Sequence, residues 1–121
     1  MYPPIFAVVA ANTAVRALLG VSPVRFYPFG EADPVPPYPY AVWQTVYGSP
    51  QNYVNQAPDV DSFGVQIDVY ARDASGAREV ATAIRDAIES SAHVTAYNGE
   101  FRDPVTRSYR VSFTADWIVN R

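Results

Sequence analysis

The clearest alternation of apolar and polar residues lies between Ser62 and Arg72 and predicts a strand with one buried face. Its apolar positions are Phe63, Val65, Ile67, Val69 and Ala71. Residues 73–76 break the alternation, and Ser75 or Asp73 can cap the helix that follows. The apolar positions of that helix share one stripe and are Ala77, Val80, Ala81, Ile84, Ala87 and Ile88. We therefore predict a half-buried strand whose apolar face is covered by a helix.

The remaining pattern predicts one further helix and four further strands. The helix covers about residues 4–19, after two prolines and before Gly20. Strands are predicted over residues 24–29 and 38–47, and residues 94–101 and 107–119 form a closing hairpin. The order is α-β-β-β-α-β-β, so we predict a single α+β domain over residues 1–121. Its mostly antiparallel sheet carries both helices on one face. The predicted core cluster contains Ile67, Val69, Ile84, Ile88, Val111 and Phe113.

The stretch from Gly48 to Ser62 has no clear period and is rich in Asn, Gln and Pro. A connection of this length is long for a compact domain, and such loops are usually functional or mobile. Tyr53 and Val54 lie in its middle, which is unusual for a loop that only meets solvent. We therefore predict a loop here that becomes ordered on assembly.

Composition narrows the classes of function. The chain has no cysteine, which excludes disulfides, thiolate metal sites and a cysteine nucleophile. The net charge is −3, and all nine basic residues are arginines that form no continuous patch for a nucleic acid backbone. No apolar run reaches the roughly 20 residues that span a bilayer, so no membrane partner is expected. The N-terminal segment lacks the charged region of a signal peptide.

Candidate chemistry is sparse. Residues 59–64 resemble a calcium loop only weakly, because a phenylalanine and a tyrosine replace two required ligands. His93 is the single histidine and has no second ligand nearby in the sequence. Asp68 and Asp116 can approach each other as an acid/base pair, but pairing with Arg72 and Arg110 across the sheet is the favoured interpretation. These observations indicate an assembly component without catalytic, cofactor-binding or metal-binding residues.

Five segments, in this order and spacing, carry a resemblance to a known family: Leu18–Gly20, Pro39–Val42, Val65–Ala71, Ala83–Ile84 and Tyr109–Phe113. The chain resembles the small tail completion, or tail terminator, proteins of long-tailed bacteriophages over nearly its whole length. The resemblance implies a homo-oligomeric ring, usually a hexamer, at the head-proximal end of the tail tube. It also implies contacts with the tail tube protein and the head–tail connector, and a role in ending tube polymerisation.

From these inferences we expect a virion protein, assembled in the bacterial cytoplasm, whose lumen lets DNA pass without specific binding. The expected subunit interface joins the loop 48–62 to the hairpin tip 99–106, with Tyr53, Val54, Phe101 and Arg102 as anchors. The alternatives are a neck or head-completion protein, and a small-ligand-binding or enzymatic α+β domain.

Overall fold

The computed structural model describes residues 3–21, 24–32, 36–50 and 60–120. These residues form three helices and five strands in the order α-α-β-β-β-α-β-β, so the predicted α+β class is confirmed. The helices are α1 (Ile5–Ala11), α2 (Thr13–Leu19) and α3 (Ala74–Ile88). The strands are β1 (Phe26–Pro28), β2 (Tyr40–Pro50), β3 (Val60–Ala71), β4 (Ala92–Arg102) and β5 (Tyr109–Asn120).

The five strands form one sheet in the spatial order β1-β2-β3-β5-β4. The β1–β2 pair is parallel and the other three pairs are antiparallel. The central strand β3 places Ile67 opposite Trp43 of β2 and Phe113 of β5. Since directly opposite residues point to the same side of a sheet, this register defines a helix-covered face and an opposite face, which we call the open face.

A single apolar cluster joins the helices to the helix-covered face. The predicted core residues all belong to it or pack against it, with Val111 only partly buried. Helix α3 contributes Val80, Ile84 and Ile88, and its first turn is capped by the Asp73 carboxylate, which accepts a hydrogen bond from the Gly76 N–H at 2.5 Å. The predicted cap and apolar stripe of this helix are therefore confirmed.

The predicted single helix over residues 4–19 is wrong, because Asn12 divides it into α1 and α2. Asn12 has an extended backbone (φ −78°, ψ 127°), and its side chain accepts a hydrogen bond from the Val15 N–H at 3.1 Å. A short polar side chain that bonds to nearby backbone N–H groups competes with a continuous helix in this way. The break turns two apolar pairs toward the core, since Ile5 and Val9 of α1 and Val15 and Leu19 of α2 are all fully buried.

The predicted 48–62 loop is too long, because Gly48–Pro50 belong to β2 and Val60–Ser62 belong to β3. These residues pair with each other in register, Gly48 with Phe63 and Pro50 with Asp61. A bulge between Thr45 and Tyr47 shifts the alternation of β2, which explains why the sequence shows no period there. Residues 51–59, which join the two strands, lie outside the described residues.

The β4–β5 hairpin is confirmed, but its tip is shorter than predicted. Residues 99–102 are strand, and the turn lies at residues 103–108. Strand β4 contains two bulges against β5, one between Val94 and Ala96 and one between Tyr97 and Gly99. In each bulge the side chain of the extra residue forms hydrogen bonds to β5. The Thr95 hydroxyl donates to the Thr114 carbonyl, and the Asn98 amide donates to the Ser112 and Thr114 hydroxyls. The bulges are therefore stabilised features of the strand.

Candidate assembly surfaces

A row of large side chains crosses the open face near the turn of the hairpin. Strand register aligns Tyr40 with Tyr70, Tyr70 with Arg110, and Arg110 with Phe101, across four strands. The rings of Tyr40 and Tyr70 stack with centroids 4.9 Å apart, and the Arg110 guanidinium lies 4.6 Å from the centre of the Phe101 ring. We call these four residues the aromatic row. It offers flat apolar surface together with a cation, which is the composition enriched in protein interfaces.

The polar groups of the aromatic row are only partly satisfied within the subunit. Burial raises the pKa of Tyr40, and the neighbouring hydroxyls of Tyr38 and Tyr70 raise it further. The Arg110 Nε is buried and has no hydrogen-bond acceptor among the described residues. Tyr70, Phe101 and Arg110 line one side of a surface depression of about 300 Å³.

Farther along the open face, Tyr47 folds over the backbone of Gly64. Its hydroxyl donates a hydrogen bond to the Asp116 carboxylate, and this bond raises the pKa of Tyr47. A Cβ at position 64 would collide with the Tyr47 ring. Gly64 is therefore required here by the close approach of an aromatic ring rather than by its backbone angles.

The expected pairing of Asp68 and Asp116 with arginines is wrong. Asp116 accepts from Tyr47, and the buried Asp68 carboxylate accepts two 3.2 Å hydrogen bonds from the Gln66 side chain. Arg72 lies over the ring of Tyr38, 5.4 Å from its centre. The arginines of this face prefer aromatic partners because a planar guanidinium stacks well on a ring.

A groove of about 390 Å³ lies on the helix-covered side, between α3 and the outer strand β4. Its lining is apolar and includes Ala81 of α3 and Val111 and Phe113 of β5. Arg78 of α3 closes one end by pairing with Glu100 of β4, with Nε–Oε2 and Nη2–Oε1 distances of 2.5 and 3.1 Å. This pairing lowers the pKa of Glu100. The groove arises because α3 packs over β3 and β5 and does not extend across β4.

Of the four predicted interface anchors, the structure places two. Phe101 and Arg102 lie near the end of β4. Phe101 is 47% exposed on the open face, and the Arg102 guanidinium lies 5.5 Å from the centre of the Tyr109 ring. Tyr53 and Val54 lie outside the described residues.

The other candidates from the sequence form no site. Residues 61–64 are regular strand and do not form a calcium loop. His93 is exposed on β4 and pairs in register with Asp116. In the described ranges, no three acidic or histidine side chains are grouped closely enough to hold a metal ion. No helix in those same ranges is long and apolar enough to cross a membrane.

Sequence reasoning missed the aromatic row as a unit. The alternation correctly put Tyr70 and Arg110 on polar faces, but it could not show which residues stand opposite each other. That alignment depends on register across three strand pairs, and two of these pairs contain bulges. Tyr40 and Tyr70 were each visible in the pattern, whereas the stacking between them was not.

Comparison with known proteins gives two results. The family model described as "Tail completion protein gp17" matches residues 3–120. A chain from the solved structure titled "Virion of native gene transfer agent (GTA) particle" has the same fold, with a TM-score of 0.69 and 13% sequence identity. The alignment covers 97% of this chain and 92% of that chain. A search of curated proteins returned no match.

The family match extends over almost the whole chain, and the fold match spans nearly the full length of a subunit of a phage-like particle. Both relatives are structural components of virions. The chain therefore belongs to the tail completion protein gp17 family and is a structural protein of a phage tail.

Proposed function

We propose that the chain forms a ring, with six copies, at the head-proximal end of the tail tube. There it ends tube polymerisation and joins the tail to the head connector, with the whole chain acting as one domain. The observation that carries the proposal is the family match over residues 3–120. The fold adds a physical reason, because Tyr47 and Phe101 are 49% and 47% exposed on the open face, and Tyr97 of β4 is 67% exposed.

A ring subunit needs surfaces for its neighbours and for two different partners above and below. The aromatic row offers one such surface, with Phe101 at its outer end, and Arg102 follows Phe101 on the helix-covered side of β4. We propose that these two residues, with Tyr53 and Val54 of the segment after β2, contribute to the contact between subunits. The net charge of −3 supports passage of DNA through the lumen without binding, since like charges repel.

The test uses a phage that lacks the gene for this chain and is complemented from a plasmid. Without the chain, tails of abnormal length that fail to join heads are expected. Normal tails together with heads that leak DNA would overturn the proposal and favour the neck or head-completion alternative. Tails and heads that assemble normally without the chain would refute both the tail-termination role and the neck or head-completion role.

The proposed anchors are tested in the same phage by the double variant Tyr53→Ala with Phe101→Asp. The matched control is Val21→Asp, which places the same charge on an exposed residue after α2. Both variants should keep the melting temperature of the subunit within a few degrees. Only the double variant should give uncapped tails, and equal behaviour of the two variants would refute the anchors.

A further inference from the structure

The two outer edges of the sheet are unevenly covered. On one side β4 is the last strand, and its outer edge is open along its whole length in the described structure. On the other side β1 pairs only with Ala41–Trp43 of β2. The next segment of β2, Gln44–Pro50, therefore has no strand on its outer side among the described residues. Within the described part of the subunit, two strand segments at opposite sides of the same sheet therefore have no neighbouring strand on their outer side.

The two segments carry few of the residues that protect a sheet edge, namely Pro50 at the end of β2 and Glu100 and Arg102 near the end of β4, although both strands contain bulges. Edge strands of soluble proteins are usually protected by lysine, proline, inward-pointing charge or a covering helix. Gln44–Ser49 contains no charged residue, and the chain contains no lysine. In β4, Glu100 is already held by Arg78 of the same subunit. Exposed apolar side chains lie on both segments, with Val46 45% and Tyr97 67% exposed. Such edges are suited to pairing with another strand.

The strand directions favour a second copy of this chain as the partner. Three successive antiparallel pairs connect β2 to β4 through β3 and β5, so β2 and β4 run in opposite directions. Two copies placed side by side in the same orientation therefore bring β4 of one copy antiparallel to β2 of the next. The contact uses different surfaces on the two copies, so it repeats from copy to copy and can close into a ring.

The position of β1 determines the register of this pairing. Because β1 occupies the outer side of β2 as far as Trp43, the incoming β4 must begin beside Gln44. Gln44 points to the open face, so the residue beside it must be Phe101, which points to the same face. The segment Thr95–Phe101 then pairs with Gln44–Pro50, and Glu100 stands opposite Thr45, both on the helix-covered side. The paired length is about 24 Å at a rise of about 3.4 Å per residue.

This register also meets a condition for closure. Within one subunit Glu100 is level with Ala41, through Val111 and Val69. In the joined pair Glu100 is level with Thr45 of the neighbour, a step of four residues or about 14 Å along the strands. The step occurs over four strands, or about 19 Å. The strands would then tilt by about 35° to the ring axis, at the lower end of the range of about 35–45° found in closed barrels.

We propose that neighbouring copies of this chain join by adding β4 of one copy to the free edge of β2 of the next. The ring would then be held by a continuous sheet as well as by side-chain contacts. This inference rests on the proposed function, because it names the surface through which subunits of the ring meet. It differs from the anchor proposal, which concerns side chains at the end of β4 and beyond β2.

Engineered cysteines test the register directly, since the natural chain has none. Opposite residues in an antiparallel pair have Cα atoms about 4.5–5.5 Å apart, within reach of a disulfide. The test variant combines Thr45→Cys with Glu100→Cys in one chain. The matched control combines Thr45→Cys with Val94→Cys, because Val94 is level with Thr45 within the subunit, through Val65 and Ala115, but lies six residues from Glu100. Both are oxidised in tails assembled in the complemented phage.

The test variant should give a ladder of covalently linked copies on a denaturing gel, whereas each single cysteine variant and the Val94→Cys control should stay monomeric. Tails with normal length control but no ladder from the test variant would overturn this inference and leave the proposed function intact. A ladder from the Val94→Cys control alone would refute the register and the tilt derived from it. Tails that reach normal length without the chain would overturn the proposed function, and the inference with it.

A second pair of variants tests the edge without cross-linking. Ala96→Lys puts a charge on the exposed part of β4, and Ala17→Lys makes the same change on the exposed side of α2. Both subunits should fold, because both alanines are exposed. We expect Ala96→Lys to abolish length control and Ala17→Lys to leave it unchanged. Normal tails with Ala96→Lys would contradict edge pairing, since a lysine on an edge strand prevents further strand addition.

Discussion

The packing of α3 on the sheet can be tested by Ile84→Ala. Ile84 is fully buried in the cluster between α3 and the helix-covered face. The substitution removes three carbon atoms, which costs about 2.4 kcal/mol at about 0.8 kcal/mol for each buried methylene-sized group. The cavity left behind adds to this, because β3 and β5 are fixed by strand pairing on both sides and can move little to fill it. We therefore expect a total loss of about 3–4 kcal/mol, inside the usual range of 2–5 kcal/mol.

The measurement is urea unfolding of the isolated subunit, followed by tryptophan fluorescence and by circular dichroism. A loss of about 3 kcal/mol should lower the melting temperature by roughly 10–15 °C for a domain of this size. The matched control is Ile118→Ala, the same substitution at a residue that is 61% exposed on β5. The control should cost less than about 1 kcal/mol, mostly through lower strand propensity.

Equal losses in the two variants would show that Ile84 does not pack as described. A loss below about 1 kcal/mol for Ile84→Ala would have the same meaning, since transfer of the missing atoms alone exceeds that value. The slope of the free energy against urea concentration should stay unchanged in both variants. A changed slope would indicate an altered unfolded or native state rather than a cavity.

Gly64→Ala should destabilise the subunit by about 1–3 kcal/mol, because its methyl group displaces the Tyr47 ring, and most of this loss should disappear when Tyr47→Ala is also present. Additive losses in urea melts would contradict the contact. The pKa of Asp103 lies below its usual value because its carboxylate accepts hydrogen bonds from the backbone N–H groups of Val105 and Thr106 in the hairpin turn. The stabilisation it gives is present above the unfolded value of about 4 and is lost as pH falls through the lower folded value. The stability difference between wild type and Asp103→Asn should therefore narrow as pH falls below about 4, and a constant difference would refute this account.

Elements with a sustained period could be predicted from the sequence. The strand around Ile67 and the helix around Ile84 were predicted with nearly correct bounds, because each has a long, uninterrupted apolar stripe and a clear cap between them. The hairpin was also predicted, since β5 alternates without interruption. In these segments local pattern and tertiary packing give the same answer.

The predictions from the sequence are wrong where a single residue shifts the apolar–polar alternation or adopts a backbone angle that ends a helix. Asn12 divides a helix whose apolar spacing continues past the break, and nothing in that spacing reveals the extended backbone angle. The bulge near Val46 hides the second half of β2, so paired strand residues looked like loop. The assembly surfaces depend on such details. The free edge of β2 contains that bulge, and the aromatic row requires a register that only the folded sheet supplies.

The two bulges of β4 make the outer strand of the sheet longer than the strand it follows. Between Val94 and Glu100 the chain advances six residues, whereas its partner β5 advances only four, from Ala115 to Val111. A strand that contains extra residues bends relative to the shorter strand with which it pairs. Strand β4 is therefore bent at its two bulges. The side chains of Thr95 and Asn98 hold these bulges against β5 by hydrogen bonds. Deletion of Thr95 or Asn98 would remove one of the two bulges without reversing the faces of the neighbouring residues, and would therefore reduce the bend of this strand.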